Sequence, residues 1–259
     1  MSSLEAFMLG ILQGLTEFLP VSSSGHLELG HYLFGIDPEN GFAFSLAVHG
    51  ATVLSTIVVF RKEIAGLIAG ALAFRMNNET RYLLLMALSM IPIAFSGIFL
   101  KDRIEALFSG NVVFVGSMLL ITATLLFMTR FFSDKGYEIN WSRALLIGVA
   151  QAFAVLPGIS RSGATIATGM MLGVSRDKIA AFSFLMVLVP VIGANILKFA
   201  GGEAEFMVTE VRPLVIGFIA AFIAGYFACR GMIALVRKSK LVWFSIYCMV
   251  VGLVAILFL

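Results

Sequence analysis

Six stretches of this chain are apolar for long enough to cross a hydrocarbon core, which takes about 20 residues of helix. They lie at roughly 41–60, 82–100, 110–131, 178–199, 213–234 and 241–259. Two further regions are apolar but interrupted. Residues 3–19 lead into a short arm at 24–36, and residues 142–157 lead into a second at 163–174. Pro, Ser and Gly break both pairs, at Pro20–Gly25 and at Pro157–Gly163. Neither second arm is long enough to span. The pattern predicts two helical hairpins that enter the membrane and turn back, which irregular backbone tolerates only inside protein or a watery cavity.

The interruptions resemble each other. QGLTEFLPVSSSGH (13–26) lies over QAFAVLPGISRSGAT (151–165) without a gap. Gln13 meets Gln151, Ser22 meets Ser160, Ser24 meets Ser162 and Gly25 meets Gly163. The same register pairs Gly10 with Gly148, Gly35 with Gly173, Phe44 with Phe182 and Ser45 with Ser183. The order is therefore hairpin, three spans, hairpin, three spans. Three is odd, so the second half is inserted upside down. The expected fold is an all-α polytopic membrane protein of one domain with an inverted-topology repeat. Each half, about 1–135 and 139–259, is a re-entrant helical hairpin plus three transmembrane helices.

Composition agrees. The chain is 60% hydrophobic and 13% charged, against about 25% charged in soluble domains. No basic face or aromatic module points to nucleic acid. Cys229 and Cys248 fall in apolar runs and read as packing residues. No cleaved signal peptide is legible at the N-terminus. Charge matters loop by loop. Arg61, Lys62, Arg75 and Arg81, then Arg130, Lys135 and Arg143, then Arg176 and Lys178, then Arg237, Lys238 and Lys240 fall on one side, which becomes cytoplasmic. Asp37, Glu39, Glu203, Glu205 and Glu210 fall on the other. Trp141 and Trp243 read as interface anchors.

Polar groups inside such a chain need a reason, because an ionised group at the bilayer centre costs roughly 2.5–3.5 kcal/mol. Ser22, Ser23 and Ser24 lead into one short arm. Ser160 and Ser162 lead into the other, with Thr165 in its first turn. They can cap helices, or two helix N-termini can converge on one anion. Arg161 favours the anion, since a guanidinium matches phosphate oxygens; it can also pair with Glu17. Glu17 and His26 can serve as general base and acid, hold a divalent metal, or form a buried hydrogen bond. Ser23 is a candidate nucleophile if either takes its proton. Gln13 lies one turn before Glu17 on the same face. Glu28 and His31 share the short arm. His49, in the first span, suits a helix–helix hydrogen bond or a cavity lining. Asn195 suits the former, and Lys198 suits snorkelling.

These residues carry a family resemblance. QGLTEFLPVSSSGH and PGISRSGAT closely resemble the two signature regions of the undecaprenyl-diphosphatases, the bacterial bacitracin-resistance family. The likeness extends through MLGVSRDKIAAFSFLMVLVP at 171–190. It implies hydrolysis of undecaprenyl diphosphate to the monophosphate and phosphate, recycling the carrier for peptidoglycan. It also implies a divalent cation, Mg2+ or Ca2+, in a bacterial cytoplasmic membrane, with the site opening to the outer side. The family's catalytic serine falls on Ser23, its histidine on His26 and its glutamate on Glu17. Its phosphate-binding segment falls on Ser160, Arg161, Ser162 and Thr165, with Ser22 and Ser24 beside it. The resemblance implies an acid or Gln at position 13; with Gln13 here, Glu17 alone remains as a carboxylate metal ligand. The implied partners are a polyprenyl diphosphate and membrane lipids; a homodimer is left open. The rival class is a transporter or flippase of a lipid phosphate or small anion on the same repeat.

Overall fold

A computed structural model describes residues 1–36, 38–99, 111–200, 211–238 and 240–258, with backbone alone at 38–42 and 194–200. Described residues are almost all helical: α1 (Ser3–Phe18), α2 (Ser23–Phe34), α3 (Pro38–Val59), α4 (Arg61–Leu72), α5 (Asn78–Phe99), α6 (Val112–Met128), α7 (Trp141–Phe153), α8 (Arg161–Met171), α9 (Arg176–Ala200), α10 (Val211–Arg237) and α11 (Val242–Phe258). The six expected spans fall on α3, α5, α6, α9, α10 and α11; among the described residues α5, α6 with the turn that follows it, and α10 are each long and apolar enough to cross a membrane, and α3 joins them if taken together with the bent α4. The two interrupted regions appear as the pairs α1–α2 and α7–α8. This is an all-α polytopic membrane protein. The expectations for Asn195, Lys198 and the acidic loop residues lie outside the described side chains.

Local chemistry sets the hairpin ends. The side chain of Ser2 accepts from Glu5 N–H while Ser2 N–H donates to the Glu5 carboxylate at 2.8 Å, a capping box that starts α1. α1 stops because Pro20 pushes Leu19 out of helical geometry, to φ −66° and ψ 143°. Gly35, at φ 62°, closes α2 in the left-handed region that suits glycine. Asn140 caps α7 by accepting from Arg143 N–H at 2.9 Å. At 12 and 11 residues, α2 and α8 are about 17–18 Å long, well short of a core of about 30 Å.

Small residues let the hairpins pack closely. α1 lies on α10, where a Cβ at Gly10 would stand 2.9 Å from Gly217 Cα. α7 lies on α5, where a Cβ at Gly148 would stand 2.8 Å from Ser89 Cα. α6 lies on α11, where Gly116 and Gly252 face each other's carbonyls. On the loop side, Arg237 pairs with Asp177 at 2.7 Å and Lys178 with Glu138. Cys229 and Cys248 are free and buried, as packing residues would be.

The 61–81 connection holds a surprise. Its first half is a helix, α4, bent 76° from the preceding span. Ile64 and Leu67 pack on the core, whereas Ile68, Leu72, Phe74 and Met76 are exposed. Charge dominates the sequence there and hides the helical spacing of these apolar residues.

Candidate active site

The two hairpin tips meet. A Cβ on Gly25 of the first would stand 3.0 Å from Gly158 Cα of the second. Ser162 Oγ donates to the Leu19 carbonyl across the junction at 3.4 Å. Each tip is also held from outside, at positions that the gapless sequence match pairs. Thr122 of α6 donates to the Gly158 carbonyl at 2.9 Å, and Cys248 of α11 points its thiol at the Pro20 carbonyl at 3.8 Å. Pro20 and Gly158 are 138 positions apart, the offset of the gapless match.

The serines divide their work. Ser22 Oγ accepts from Gly25 N–H at 3.3 Å, and Ser160 Oγ accepts from Gly163 N–H at 3.0 Å. Both are N-caps, and both stand within 3.4 Å of the second serine on, Ser24 or Ser162. Ser22 holds φ 70°, a left-handed value that a side chain rarely takes; backbone strain of this kind costs about 1–3 kcal/mol. Ser160 N–H donates to Thr122 Oγ1 at 3.0 Å, so the second tip is tied to α6 twice. Thr165 shares a hydrogen bond with Ser183 of α9 at 2.5 Å and donates to the Arg161 carbonyl.

Glu17 gathers the reactive groups. Its Oε2 accepts from Ser23 Oγ at 2.6 Å and from Gln13 Nε2 at 2.9 Å. Its Oε1 accepts from the Arg161 guanidinium at 3.2 Å. The pair is partly buried, with the Arg161 side chain 24% exposed and that of Glu17 10%. His49 Nε2 lies 3.8 Å from Glu17 Oε2. A serine hydroxyl donating to a carboxylate is the geometry of a nucleophile beside its base. A guanidinium with one arm engaged still offers donors to an anion.

His26 sits apart from this cluster. Its Nδ1–H donates to the Ser22 carbonyl at 2.8 Å, which leaves Nε2 of the neutral ring to accept from Tyr247 OH at 2.9 Å. Its described hydrogen bonds reach neither Glu17 nor Ser23. The structure thus brings together Gln13, Glu17, Ser23, Arg161 and Ser162. Ser22, Ser160 and Thr165 hold the tips, and Ser24 stands beside its cap.

A narrow cleft, with room of about 30 Å³ for the centres of water-sized molecules, adjoins the cluster. Glu17, Arg161, Ser162, Thr52 and Thr56 give it polar lining, and Phe18, Val53, Phe184, Val187, Leu188 and Val191 give it apolar walls. Sequence reasoning missed Thr52 and Thr56, which recur one turn apart after His49 in α3. It also missed the contacts of Ser183 and Tyr247, whose partners lie on other helices. For a metal, the described residues contain no group of three or more His, Cys, Asp or Glu side chains that could hold one. The oxygen donors near Glu17 include the Gln13 amide oxygen, which is buried without a hydrogen-bond partner.

The chain matches known proteins over nearly its whole length. The family model described as "Bacitracin resistance protein BacA" matches residues 6–254. The chain is 52% identical over 261 residues to an undecaprenyl-diphosphatase of Christiangramia forsetii, covering 100% of this chain and 98% of the relative. It is 49% identical to one of Bacteroides thetaiotaomicron, covering 99% of each. It is 50% identical to one of Bacteroides fragilis, covering 97% of this chain and 96% of the relative. With matches of this length on both counts, the chain belongs to the bacitracin resistance protein BacA family, whose curated members here are undecaprenyl-diphosphatases.

Proposed function

We propose that this chain is an integral membrane phosphatase that hydrolyses undecaprenyl diphosphate to undecaprenyl phosphate and inorganic phosphate. The observation that carries the reading is the Ser23–Glu17–Arg161 arrangement, with the hydroxyl 2.6 Å and the guanidinium 3.2 Å from the carboxylate that serves as base. Family membership supports the substrate. Arg161 holds the diphosphate, joined by Ser162 and by the N-terminal end of α8. Ser23 attacks the terminal phosphorus as Glu17 takes its proton, and the lipid monophosphate leaves. Water then releases phosphate from the serine. Charge placed in advance supplies much of the rate in such transfers. His26 fixes the Ser22 carbonyl and so the start of α2, which carries Ser23.

A divalent cation fits these residues. The unpartnered Gln13 amide oxygen lies beside Glu17, and Mg2+ commonly takes one or two carboxylates plus substrate phosphate oxygens. Glu17 and Gln13 would hold it. When bound it supplies positive charge to the diphosphate.

The two halves, about 1–135 and 139–259, are read as an inverted repeat of re-entrant hairpin plus three spans. Support comes from the gapless match, from the paired packing of α1 on α10 and α7 on α5, and from the matching ties at Pro20 and Gly158. Family membership and the loop charges together support a cytoplasmic-membrane location with the headgroup on the outer side. The cleft follows the half of α3 that leads to Arg61, the cytoplasmic end, and its apolar walls suit the tail of a lipid lying in the outer leaflet. Phosphate release by the purified protein in detergent tests the reading. Transport needs a sealed membrane and hydrolysis does not. Release is expected with Mg2+ or Ca2+; absence with both refutes the enzyme.

A further inference from the structure

Two adjacent residues of α11 hold the two ends of the loop that carries Ser23. Cys248 points its thiol at the Pro20 carbonyl at 3.8 Å, and Tyr247 OH donates to His26 Nε2 at 2.9 Å. The Tyr247 and His26 rings also stack, with centroids 5.5 Å apart and planes 11° from parallel. On its other side the buried imidazole closes on the turn. The Ser22 carbonyl accepts from His26 Nδ1–H at 2.8 Å and from His26 backbone N–H at 3.1 Å. Both lone pairs of that carbonyl are then engaged. Ser22 is the residue held at φ 70°, and backbone in such a region persists only where its surroundings over-determine it. Ser23, the next residue, donates to Glu17 at 2.6 Å.

α11 is itself fixed to the helix that holds the other tip. Ser245 Oγ donates to the Ala123 carbonyl of α6 at 2.6 Å. Thr122, beside Ala123, binds the Gly158 carbonyl and the Ser160 N–H of the second tip. One pair of packed helices, α6 and α11, thus grips both tips. We infer that Tyr247 is a positioning residue for the reaction. Its hydroxyl, through His26 and the Ser22 carbonyl, holds the strained turn that presents Ser23 to Glu17, and α6–α11 sets that turn against the tip that carries Arg161. Tyr247 acts through His26 and not on a reacting atom. Without the hydroxyl, Nε2 becomes a buried acceptor that has lost its donor, and the ring loses the contact that keeps Nδ1–H on the Ser22 carbonyl. The turn can then relax, and Ser23 drifts from its contact with Glu17. A displacement of about 1 Å can cost about 10²-fold in rate.

This inference rests on the diphosphatase reading. The test measures kcat, KM and Tm for purified full-length wild type, Tyr247→Phe, His26→Asn and the double variant in detergent, with undecaprenyl diphosphate and Mg2+. Phe keeps the stacked ring and loses the hydroxyl. Asn puts its amide N–H where Nδ1–H was and has nothing in place of Nε2. Tyr247→Phe should lower kcat about 10-fold with KM little changed. In the His26→Asn background the same substitution should change kcat by less than about 2-fold, because the acceptor is gone. Wild-type kcat in Tyr247→Phe, with or without a raised KM, overturns the inference alone. An equal loss in both backgrounds also overturns it, since Tyr247 would then act as packing, independently of His26. Should His26→Asn fold without turning over, Tm closes the cycle: Tyr247→Phe lowers Tm only where His26 is present, and an equal drop in both backgrounds overturns the inference. Should His26→Asn not fold, the kcat and KM of Tyr247→Phe decide. A wild-type sample that releases no phosphate overturns the diphosphatase reading and this inference with it.

Discussion

Replacing Glu17 with Gln exchanges one carboxylate oxygen for an amide nitrogen and leaves the shape of the side chain intact. Three described hydrogen bonds end on this carboxylate, from Ser23 at 2.6 Å, Gln13 at 2.9 Å and Arg161 at 3.2 Å. An amide oxygen can keep one or two of them. It cannot take the Ser23 proton, so the loss should fall on the chemical step. General-base contributions are about 10²–10⁴ in rate, or about 2.7–5.4 kcal/mol at 1.36 kcal/mol per tenfold. The ion pair is a separate matter. At 3.2 Å its gross attraction is about 5 kcal/mol for an effective dielectric of 20, and desolvation offsets much of it. The partial exposure of Arg161 lets water solvate the guanidinium once its partner is gone, so the fold should survive. Phosphate release against substrate concentration gives kcat and KM, and thermal unfolding in the same detergent gives the stability. The expected outcome is kcat down by about 10²–10⁴ with KM within a few-fold of wild type. A folded Glu17→Gln protein with wild-type kcat would refute the base assignment. Raised KM with unchanged kcat would recast Glu17 as a binding group.

Further outcomes follow from single contacts. Ser23→Ala should abolish turnover while Ser24→Ala, whose hydroxyl stands beside the Ser22 cap rather than on Glu17, should retain most of it, as a phosphate-release assay would show. Gly10→Val should destabilise the α1–α10 contact by about 1–3 kcal/mol or more, since backbone rather than a mobile side chain lies 2.9 Å from the new Cβ; loss of folded yield and a lower Tm would be the readout. On the loop side, the hydrogen bond from Gly136 N–H holds the Asp134 carboxyl below its ordinary value of 3.8, despite partial opposition from burial, with Arg176 assisting. A depressed folded pKa gives stability that is full above the unfolded value and is lost as pH falls through the folded one. The Tm gap between wild type and Asp134→Ala should therefore be constant near neutrality and close below about pH 4.

Much of this architecture is legible in the linear chain because lipid punishes polarity. Glu17, Arg161 and the serines stand out against long apolar runs, and Pro20 and Pro157 mark where the short arms break. The paired caps Ser22 and Ser160 follow from the gapless match. Three features were harder to see. α4 hides behind the charges Arg61, Lys62 and Glu63, although Ile64, Leu67 and Ile68 keep a helical spacing. The division between the two imidazoles depends on which helix faces which. His26 meets Tyr247 across 221 positions, and His49 faces Glu17 because α3 packs against α1. Nothing in local spacing encodes either contact. Thr165 likewise reads as a phosphate ligand in sequence, yet its hydroxyl is shared with Ser183 and with the backbone of its own helix.

The central claim is that a serine on one hairpin tip attacks a phosphate held by an arginine on the other. Rapid acid quench of the purified protein with undecaprenyl diphosphate, followed by mass spectrometry of the peptide containing residues 13–26, tests it directly. A transient phosphate on Ser23, absent from Arg161→Ala under the same conditions, is the predicted result. Phosphate on His26, or release of phosphate with no covalent species at any time, would contradict it.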